Sequence, residues 1–372
     1  MLLPALSSDD IPSIPGQLLW GDEAYAIRSC ATDLTGTARA RFPGTQPVSF
    51  NRTASLPRMK SQDFMVCEKS DGVRVLVLMI ADQRDRTFKT FMLTRKNEVY
   101  YLPGVMFPKP DNPAMPTYHN GTLIDAELVT DTEPDGRRVR RLLAFDALAV
   151  SGVNCMDRTL EKRLGYLNEH VMRPFIDMCN RMPPAQRDAL PFLGEMKHFE
   201  RSYGVQKIYD SVIPKLKHKC DGLIFTSVKD PYTPGTCDSI YKWKPSNENS
   251  VDFRVKLAKM ANGSQSIQLL AFKGSGHVYF GNLAMQPGDW DRLFKPIKDL
   301  DGRIIEVVHD PEYAPPFTWR FLRFREDKER ANYYTVVMNV KQSIDDNIEL
   351  DELMQDTTEM RIKWKERHNE PL

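Results

Sequence analysis

The chain has 372 residues, with 51 Lys plus Arg against 50 Asp plus Glu and a hydrophobic fraction of 41%. At roughly 100 to 200 residues per domain, this length predicts two or three hydrophobic cores. The net charge of +1 excludes a protein that coats nucleic acid through its overall charge, so any polyanion site must be local. The longest apolar run, residues 75–81, is far shorter than the roughly 18 residues of a membrane span. The six cysteines form no CxxC pair, which argues against a zinc ribbon or a disulfide framework.

The first half of the chain predicts a sheet-rich domain. Residues 1–60 are rich in Pro, Ser, Gly and Thr, which predicts an extended arm with turns and few long helices. Short β-like runs follow at residues 64–68, 73–80, 87–94, 122–129 and 141–149, and their spacing predicts a mostly antiparallel sheet. Residues 75–80 are apolar without alternation, which predicts a central strand covered on both faces.

The second half predicts helices and then a second group of strands. Helical patterns cover about residues 159–178 and 203–211. A second β pattern starts near residue 252 and continues through 266–272, 277–285, 303–309 and 319–325, a spacing typical of an OB-type barrel or another small barrel. Residues 335–345 and 349–367 are predicted to be helical.

The segment Lys69-Ser70-Asp71-Gly72-Val73-Arg74 directly precedes the central apolar run. It could be an exposed hairpin, but four specified residue types are expected only about 0.005 times by chance in a chain of this length. A lysine attacks phosphorus only as the neutral amine, and from an ordinary pKa of about 10.4 that form costs about 4 to 5 kcal/mol at pH 7. Neighbouring cations and desolvation lower this cost. Arg74 is one candidate for such a cation. Lys242 and Lys244 are two further candidates, because they lie on one face of a predicted strand. The alternative for these two lysines is a solvated edge strand.

Together these segments resemble the covalent nucleotidyltransferase superfamily of mRNA capping enzymes and polynucleotide ligases. Other segments resemble its remaining motifs in the expected order. They are Thr94-Arg95-Lys96-Asn97-Glu98-Val99-Tyr100, Asp125-Ala126-Glu127-Leu128-Val129, Phe145-Asp146-Ala147-Leu148 and Cys220-Asp221-Gly222-Leu223-Ile224-Phe225. Ala126 stands where the superfamily usually has Gly, and we expect altered backbone freedom rather than lost activity.

Two further segments favour a capping enzyme over a ligase. Residues 323–332, with Arg325, Asp327, Lys328 and Asn332, resemble the sixth motif of capping guanylyltransferases, and residues 42–49 resemble the N-terminal segment of fungal capping enzymes. The resemblance covers about residues 42–353. Because no phosphatase domain precedes Lys69, the chain is most similar to the stand-alone fungal type.

The resemblance implies an α+β fold. It predicts an antiparallel-sheet, ligase-like nucleotidyltransferase domain with an N-terminal arm at 1–246, a C-terminal OB-fold domain at 247–330, a cleft between them, and a helical segment at 331–372.

The resemblance also implies a mechanism. GTP and Mg²⁺ or Mn²⁺ bind, Lys69 attacks the α-phosphorus, and the lysine-bound GMP passes to a 5′-diphosphate RNA end to form the cap. The implied catalytic residues are Lys69, Arg74, Lys242, Lys244, Arg325 and Lys328. The implied nucleotide-binding residues add Glu68, Arg95, Glu127, Phe145, Lys197 and Asp327. The metal ligand is Asp221, with Glu127 as a second candidate.

Within this scheme single residues have specific roles. The resemblance implies that Phe145 stacks on guanine. Without it, a Phe buried in the hydrophobic core is an equally good interpretation of this residue. Lys197 is either a cation near the guanine O6 or an exposed lysine. Arg325 and Lys328 reach the β- and γ-phosphates when the cleft closes.

The resemblance to fungal systems implies partners as well. We expect a separate RNA 5′-triphosphatase subunit, the phosphorylated C-terminal tail of RNA polymerase II, a nuclear location and no membrane association. Two alternative functions remain at this point. One is an ATP-dependent polynucleotide ligase, which shares the lysine chemistry; the other is a catalytically inactive scaffold linked to transcription.

Overall fold

The computed structural model describes residues 12–38, 41–82, 87–111, 115–245, 248–260, 263–310, 312–313, 315–326 and 328–371. The chain divides into two compact units. The larger unit has the bounds Leu6–Val48, Arg58–Trp243 and Asp356–Leu372, and the described part of the smaller unit comprises Ser49–Pro57 and Lys244–Gln355.

Thirteen strands and six helices are described from Gln17 to Trp243. The strands are β1 (Gln17–Leu19), β2 (Thr45–Ser49), β3 (Phe64–Ser70), β4 (Val73–Ala81), β5 (Phe88–Thr94), β6 (Val99–Leu102), β7 (Thr122–Thr132), β8 (Arg138–Val150), β9 (Val153–Asn154), β10 (Leu193–Met196), β11 (Glu200–Arg201), β12 (Cys220–Ser227) and β13 (Gly235–Trp243). The helices are α1 (Gly21–Thr35), α2 (Ser55–Ser61), α3 (Leu160–Tyr166), α4 (Arg173–Arg181), α5 (Pro184–Asp188) and α6 (Val205–Lys207), with short π or 3₁₀ turns at Leu167–Met172, Ser202–Gly204, Ile208–Val212 and Ile213–Lys215.

An eight-stranded sheet has the order β1-β6-β5-β4-β7-β8-β10, with β9 paired to β8. All its pairs are antiparallel except β8 with β10. Strand β4 lies in the middle, and its alternate residues enter two cores: Val75 and Val77 pack towards Phe175 of α4, whereas Leu76 and Leu78 pack in the cluster that contains Ala31 of α1. The predictions of an antiparallel sheet and of a central strand covered on both faces are therefore confirmed.

A five-stranded sheet carries the predicted nucleophile. Its order is β11-β3-β12-β13-β2. Only Asp71 and Gly72 separate β3 in this sheet from β4 in the eight-stranded sheet. This short connection brings Lys69 of one sheet close in the chain to Arg74 of the other.

The smaller unit contains a closed barrel of five strands in the order β14-β15-β16-β18-β17. The strands are β14 (Ser250–Lys259), β15 (Gln265–Lys273), β16 (Gly276–Ala284), β17 (Ile304–His309) and β18 (Trp319–Phe324). Phe253, Leu269 and Trp319 fill its interior. Helix α7 (Tyr334–Asp346) packs Val337 and Val340 against the same cluster, and α8 (Leu350–His368) follows. The predicted α+β fold with a C-terminal five-stranded barrel is confirmed.

The predicted helices are confirmed, but the prediction of an N-terminal arm with few long helices is wrong. Helix α1 has 15 residues, with Asp22 and Glu23 in its first turn and Gly36 in the left-handed conformation at its end. Acidic residues at a helix start and glycine after its end are ordinary helix signals. The Pro and Ser residues on either side of α1 dominate the composition of this segment, so the helix signals of α1 were not recognised from the sequence. No helix in the described ranges is long and apolar enough to cross a membrane.

Candidate active site

Lys69 faces Asp221 across a bulge between β3 and β12. Cys220 pairs with Ser70 and Leu223 pairs with Glu68, so Asp221 and Gly222 together lie opposite Lys69. Gly222 has a φ of 154°, which favours glycine at this bulge. The Nζ atom of Lys69 donates to Oδ1 of Asp221 at 2.7 Å, and the two side chains are 23% and 18% exposed. The bulge thus presents a carboxylate to a partly accessible amine.

The turn after Lys69 requires glycine for space. A Cβ atom on Gly72 would lie 2.4 Å from the carbonyl oxygen of Leu128, a distance that real side chains do not tolerate. The backbone therefore passes directly against β7, and the next strand places Arg74 opposite Glu127.

Arg74 is held by a buried network. Its Nε atom donates to Oδ1 of Asp125 at 2.8 Å, and its Nη2 atom contacts Oδ2 of the same carboxylate. Asp125 is fully buried, and it also accepts from the hydroxyl of Tyr232 at 2.5 Å. Burial opposes the charge, but Asp125 raises the pKa of Arg74 above its ordinary value. The guanidinium is thus fixed as a cation in one orientation.

Phe145 lies at a second bulge. Asp125 pairs with Asp146, whereas Ala126 pairs with Ala144, so Phe145 is the additional residue on β8. The bulge turns its ring out of the regular alternation, and the Cζ atom of Arg74 lies 5.4 Å from the ring centroid. Phe145 is half-buried and stays available as a stacking surface.

Glu127 lies among several charges. It interacts electrostatically with Lys69, Lys197 and Arg74, but burial is the largest effect and raises the pKa of Glu127 to about 7. Ala126, which stands where the family has Gly, is fully buried in the core on the opposite face of β7. Asp125 and Glu127, two residues apart on a strand, therefore share one face.

Lys197 is buried, with 9% of its surface exposed, so the exposed alternative is wrong. Its Nζ atom donates to the carbonyl oxygen of Glu68 at 2.7 Å and lies 3.3 Å from Oε1 of the same residue. Desolvation opposes its charge, but Cys67, Glu68 and Glu127 raise the pKa of Lys197. Among the residues that the structure covers, Oε2 of Glu68 has no hydrogen-bond partner.

The remaining predicted cations of this region differ in position. Arg95 is exposed and interacts electrostatically with Arg74, Glu127 and Asp125. Lys242 on β13 pairs with Ile224, which pairs with Cys67. Directly paired residues share a face, and Cys67 and Lys69, two residues apart on β3, share a face as well. Lys242 therefore lies on the same face of the sheet as Lys69. Lys244 follows the end of β13.

In the smaller unit, two of the predicted phosphate-binding cations share a carboxylate. Nη1 of Arg325 donates to Oδ1 of Asp252 at 2.8 Å, and Nζ of Lys328 contacts Oδ2 of Asp252. Asp252 pairs directly with Glu306, which also accepts from Arg325 at 3.4 Å. Asp327 lies outside the described residues.

The donors near Lys69 fit a cation only in part. In the part of the chain that the structure describes, no group of three or more His, Cys, Asp or Glu side chains could hold a metal ion. Asp221 and Glu127 nevertheless both interact with Lys69. One or two carboxylates together with substrate phosphates are the usual protein site for Mg²⁺, so these two residues fit a cation bound with a nucleotide.

The sequence reasoning assigned no role to two residues that fix Arg74. Asp125 could have been found, because it lies two residues before Glu127 on a strand and must share its face. Tyr232 lies 158 residues from Arg74 in the chain, and no spacing connects them. The ring of Phe42, 5.9 Å from the Cζ atom of Arg74, also belongs to this region.

Comparisons with known proteins agree along the chain. The family profile described as "mRNA capping enzyme, catalytic domain" matches residues 10–246, and "mRNA capping enzyme, C-terminal domain" matches residues 248–354. The "mRNA-capping enzyme subunit alpha" of Schizosaccharomyces pombe is 34% identical over 365 residues, which cover 95% of this chain and 89% of that protein. The protein of the same name from Saccharomyces cerevisiae is 30% identical over 413 residues, with 98% and 89% covered. A solved structure of "mycobacterial DNA ligase D complexed with ATP and MES" matches with a TM-score of 0.40 and 14% identity over 77% of this chain and 95% of that chain.

The catalytic-domain profile alone spans more than half of the chain, and the fungal relatives align along nearly all of it. The resemblance predicted from the motifs is thereby confirmed. The chain belongs to the mRNA capping enzyme family and is a nucleotidyltransferase, an mRNA guanylyltransferase.

Proposed function

We propose that Lys69 accepts GMP from GTP as a lysyl-N-GMP intermediate and passes it to the 5′-diphosphate end of nascent pre-mRNA. The observation that carries the proposal is the position of Lys69. Its amine is partly exposed, lies at a bulge opposite Asp221 and interacts with Glu127, in a chain of the capping enzyme family. This is the placement that a nucleophilic lysine needs beside a polyphosphate.

The two steps are balanced displacements at the α-phosphorus. In the first, the Lys69 amine forms a P–N bond, the bond to the bridging oxygen breaks, and pyrophosphate leaves. The Lys69 ammonium must first leave its ion pair with Asp221 and give up a proton to solvent, because a protonated amine has no electron pair to donate. The nitrogen releases a second proton to solvent as the P–N bond forms. In the second, a terminal phosphate oxygen of the RNA attacks, the P–N bond breaks, and the Lys69 nitrogen takes up a proton. The product is a 5′-5′ triphosphate-linked cap.

The proposed contacts to the ribose and the base come from the eight-stranded sheet and from the turn after β5. Arg74, Arg95 and Glu127 contact the ribose or nearby phosphate, and Phe145 stacks on guanine. The half-buried ring over the fixed Arg74 guanidinium supports this stacking role. Lys197 is the candidate for the guanine O6 acceptor, with Glu68 as its anchor.

The triphosphate is contacted by cations from both parts of the sequence. We assign Lys242, Lys244, Arg325 and Lys328 to this role, and Asp327 to nucleotide binding beside them. For Arg325 and Lys328, phosphate contacts would replace the present contacts with Asp252. The proposed domains are 1–246 for nucleotidyl transfer, 247–330 for the OB fold and 331–372 for the helical segment.

A divalent cation, Mg²⁺ or Mn²⁺, would be held by Asp221, with Glu127 as the second candidate ligand. Its chemistry would be to neutralise phosphate charge during transfer.

The assembly proposals rest on the names of the relatives. The fungal proteins are called subunit alpha, which supports a partner subunit, proposed here to be an RNA 5′-triphosphatase. Binding to the phosphorylated tail of RNA polymerase II and a nuclear location follow from capping of nascent transcripts.

The test is covalent labelling. Purified protein is incubated with a divalent cation and GTP or ATP labelled at the α-phosphate, then separated under denaturing conditions, and the bound label is treated with acid and alkali. We expect GMP labelling that is acid-labile and alkali-stable and that is lost in Lys69→Ala.

Lys89→Ala is the matched control. Lys89 also pairs with a carboxylate, that of Asp82 at 2.6 Å, and its side chain is 26% exposed. This variant should label like the wild type. Wild-type labelling of Lys69→Ala would remove Lys69 as the nucleophile, AMP labelling would indicate a ligase, and no labelling with either nucleotide would favour the scaffold.

A further inference from the structure

The segment Lys217-His218-Lys219 joins the nucleophile to the eight-stranded sheet through its backbone. The carbonyl oxygen of Lys219 accepts from the backbone N–H of Asp71 at 2.9 Å, two residues after Lys69. The carbonyl oxygen of Lys217 accepts from the N–H of Thr132 at the end of β7, also at 2.9 Å. One tripeptide therefore binds both the turn that follows the nucleophile and the strand that carries Glu127.

The side chain of His218 repeats this bridge. Its Nδ1 atom lies 2.7 Å from Oδ1 of Asp131 on β7, and its Nε2 atom lies 3.1 Å from the hydroxyl oxygen of Ser70 on β3. The imidazole is 5% exposed and the Asp131 side chain 7%, so water does not compete with either hydrogen bond. A carboxylate ion can only accept, so Nδ1 carries the proton in this pair.

The Asp131 end of the bridge is a rigid anchor. Burial opposes ionisation, but hydrogen bonds from His218 and Arg141 lower the pKa of Asp131. Arg141 on β8 contacts Asp131 through Nε and donates to Oε1 of Glu133 at 2.9 Å. The other end, Ser70, directly follows Lys69, and its hydroxyl oxygen also lies 3.3 Å from Oε1 of Glu68.

We propose that His218 is a positioning residue for nucleotidyl transfer. Lys69 belongs to the five-stranded sheet, whereas Arg74, Glu127 and Phe145 belong to the other. Only the short turn at Asp71 and Gly72 connects β3 to β4. The His218 bridge fixes the end of β3 against β7, and so sets the Lys69 amine relative to the groups that hold the nucleotide. Near-attack geometry is sensitive to shifts of about 1 Å, so this bridge supports the rate of transfer rather than nucleotide affinity.

The inference rests on the proposed role of Lys69, and the test separates the two. Single-turnover labelling of Lys69 is measured over a range of GTP concentrations for His218→Ala, His218→Asn and His218→Gln. We expect the maximal rate of His218→Ala to fall by about tenfold or more, while the GTP concentration at half-maximal rate changes by less than about twofold.

The two polar variants identify the contact that matters. The amide of Gln reaches the position of Nε2 and can bind Ser70, whereas that of Asn reaches only the position of Nδ1 and can bind Asp131. We expect His218→Gln to retain a higher maximal rate than His218→Asn. The double variant Ser70→Ala/His218→Ala should slow labelling by less than the product of the two single effects, because the contact between Ser70 and His218 is lost in both single variants.

His119→Ala is the matched control. His119 is buried in the larger unit with two hydrogen bonds, to Thr122 at 2.9 Å and to the carbonyl oxygen of His170 at 2.8 Å. After correction for the folded fraction, it should label at the wild-type maximal rate. If wild type labels and Lys69→Ala does not, the proposed function stands. A wild-type maximal rate in His218→Ala, or a faster His218→Asn than His218→Gln, would then overturn the positioning role alone.

Discussion

Replacing Asp125 by Asn tests whether the buried pair with Arg74 organises the site. Asp125 is fully buried, the Arg74 side chain is 12% exposed, and Tyr232 donates to the same carboxylate. Removing the charge of one partner in a buried pair costs about 3 to 5 kcal/mol, because the other charge remains desolvated. The Asn oxygen can still accept one hydrogen bond, so we expect the lower end, about 3 kcal/mol of unfolding free energy.

Urea unfolding at neutral pH measures this loss, and covalent GMP labelling measures its effect on the site. We expect the initial labelling rate per folded molecule to fall, because Arg74 is no longer held in its orientation beside Phe145. A loss below about 1 kcal/mol, the range of an exposed pair, would refute the argument that burial makes this pair important.

Asp63→Asn is the control for stability alone. Asp63 is 2% exposed and accepts from Nε of Arg367 at 2.8 Å and from His368 at 2.9 Å. It precedes β3 at the end away from Lys69. This variant should also lose stability while labelling at the wild-type rate per folded molecule. Slower labelling of Asp63→Asn would mean that the assay reports general loosening.

Two further variants test single residues. The folded-state pKa of Glu127 is raised from 4.5 to about 7, so the contribution of this carboxyl to stability is full below about pH 4.5 and is lost as the pH rises through 7. In urea unfolding, the free energy of unfolding of Glu127→Gln should therefore rise by up to about 3 kcal/mol relative to that of the wild type between pH 4.5 and 8. A difference between the two proteins that does not depend on pH would contradict the raised pKa. Arg325→Ala should slow formation of lysyl-GMP more than its transfer to RNA, because its proposed contact is with the departing pyrophosphate; equal slowing of single-turnover labelling and of transfer from preformed intermediate would contradict that role.

The sequence predicted the strands that carry the site but not the directions of its side chains. Successive residues of a strand point to opposite faces, so the uninterrupted apolar run at residues 75–80 was enough to predict the central position of β4. Phe145 and Asp221 both lie at bulges, where one additional residue breaks the alternation. A bulge depends on the pairing of two strands distant in the chain, so neither direction follows from local pattern.

The sequence also predicted the charged residues better than their partners. Lys69, Arg74 and Glu127 lie in short segments whose resemblance to capping enzymes and ligases indicated nucleotidyl transfer. Tyr232 contacts Arg74 and Asp125, and His218 contacts Asp131 and Ser70. These partners lie 87 to 158 positions away in the chain, and nothing in the neighbourhood of Tyr232 or His218 marks them. Helix α1 was missed for a different reason, because flanking Pro and Ser residues outweighed its own helix signals.

The partition of the site between two sheets explains why such distant contacts matter. Lys69, the proposed nucleophile, and Asp221 belong to β3 and β12, whereas Arg74, Glu127 and Phe145 belong to β4, β7 and β8. Within each sheet the strands are held to one another by backbone hydrogen bonds. The position of the Lys69 amine relative to the proposed nucleotide-binding groups therefore depends on contacts that cross between the sheets. The close packing of Gly72 against Leu128, the Asp71 hydrogen bond to Lys219 and the His218 bridge are three such contacts at one place. If Lys69 is the nucleophile, as proposed, their convergence beside it makes this turn the place where the two sheets set the position of its amine.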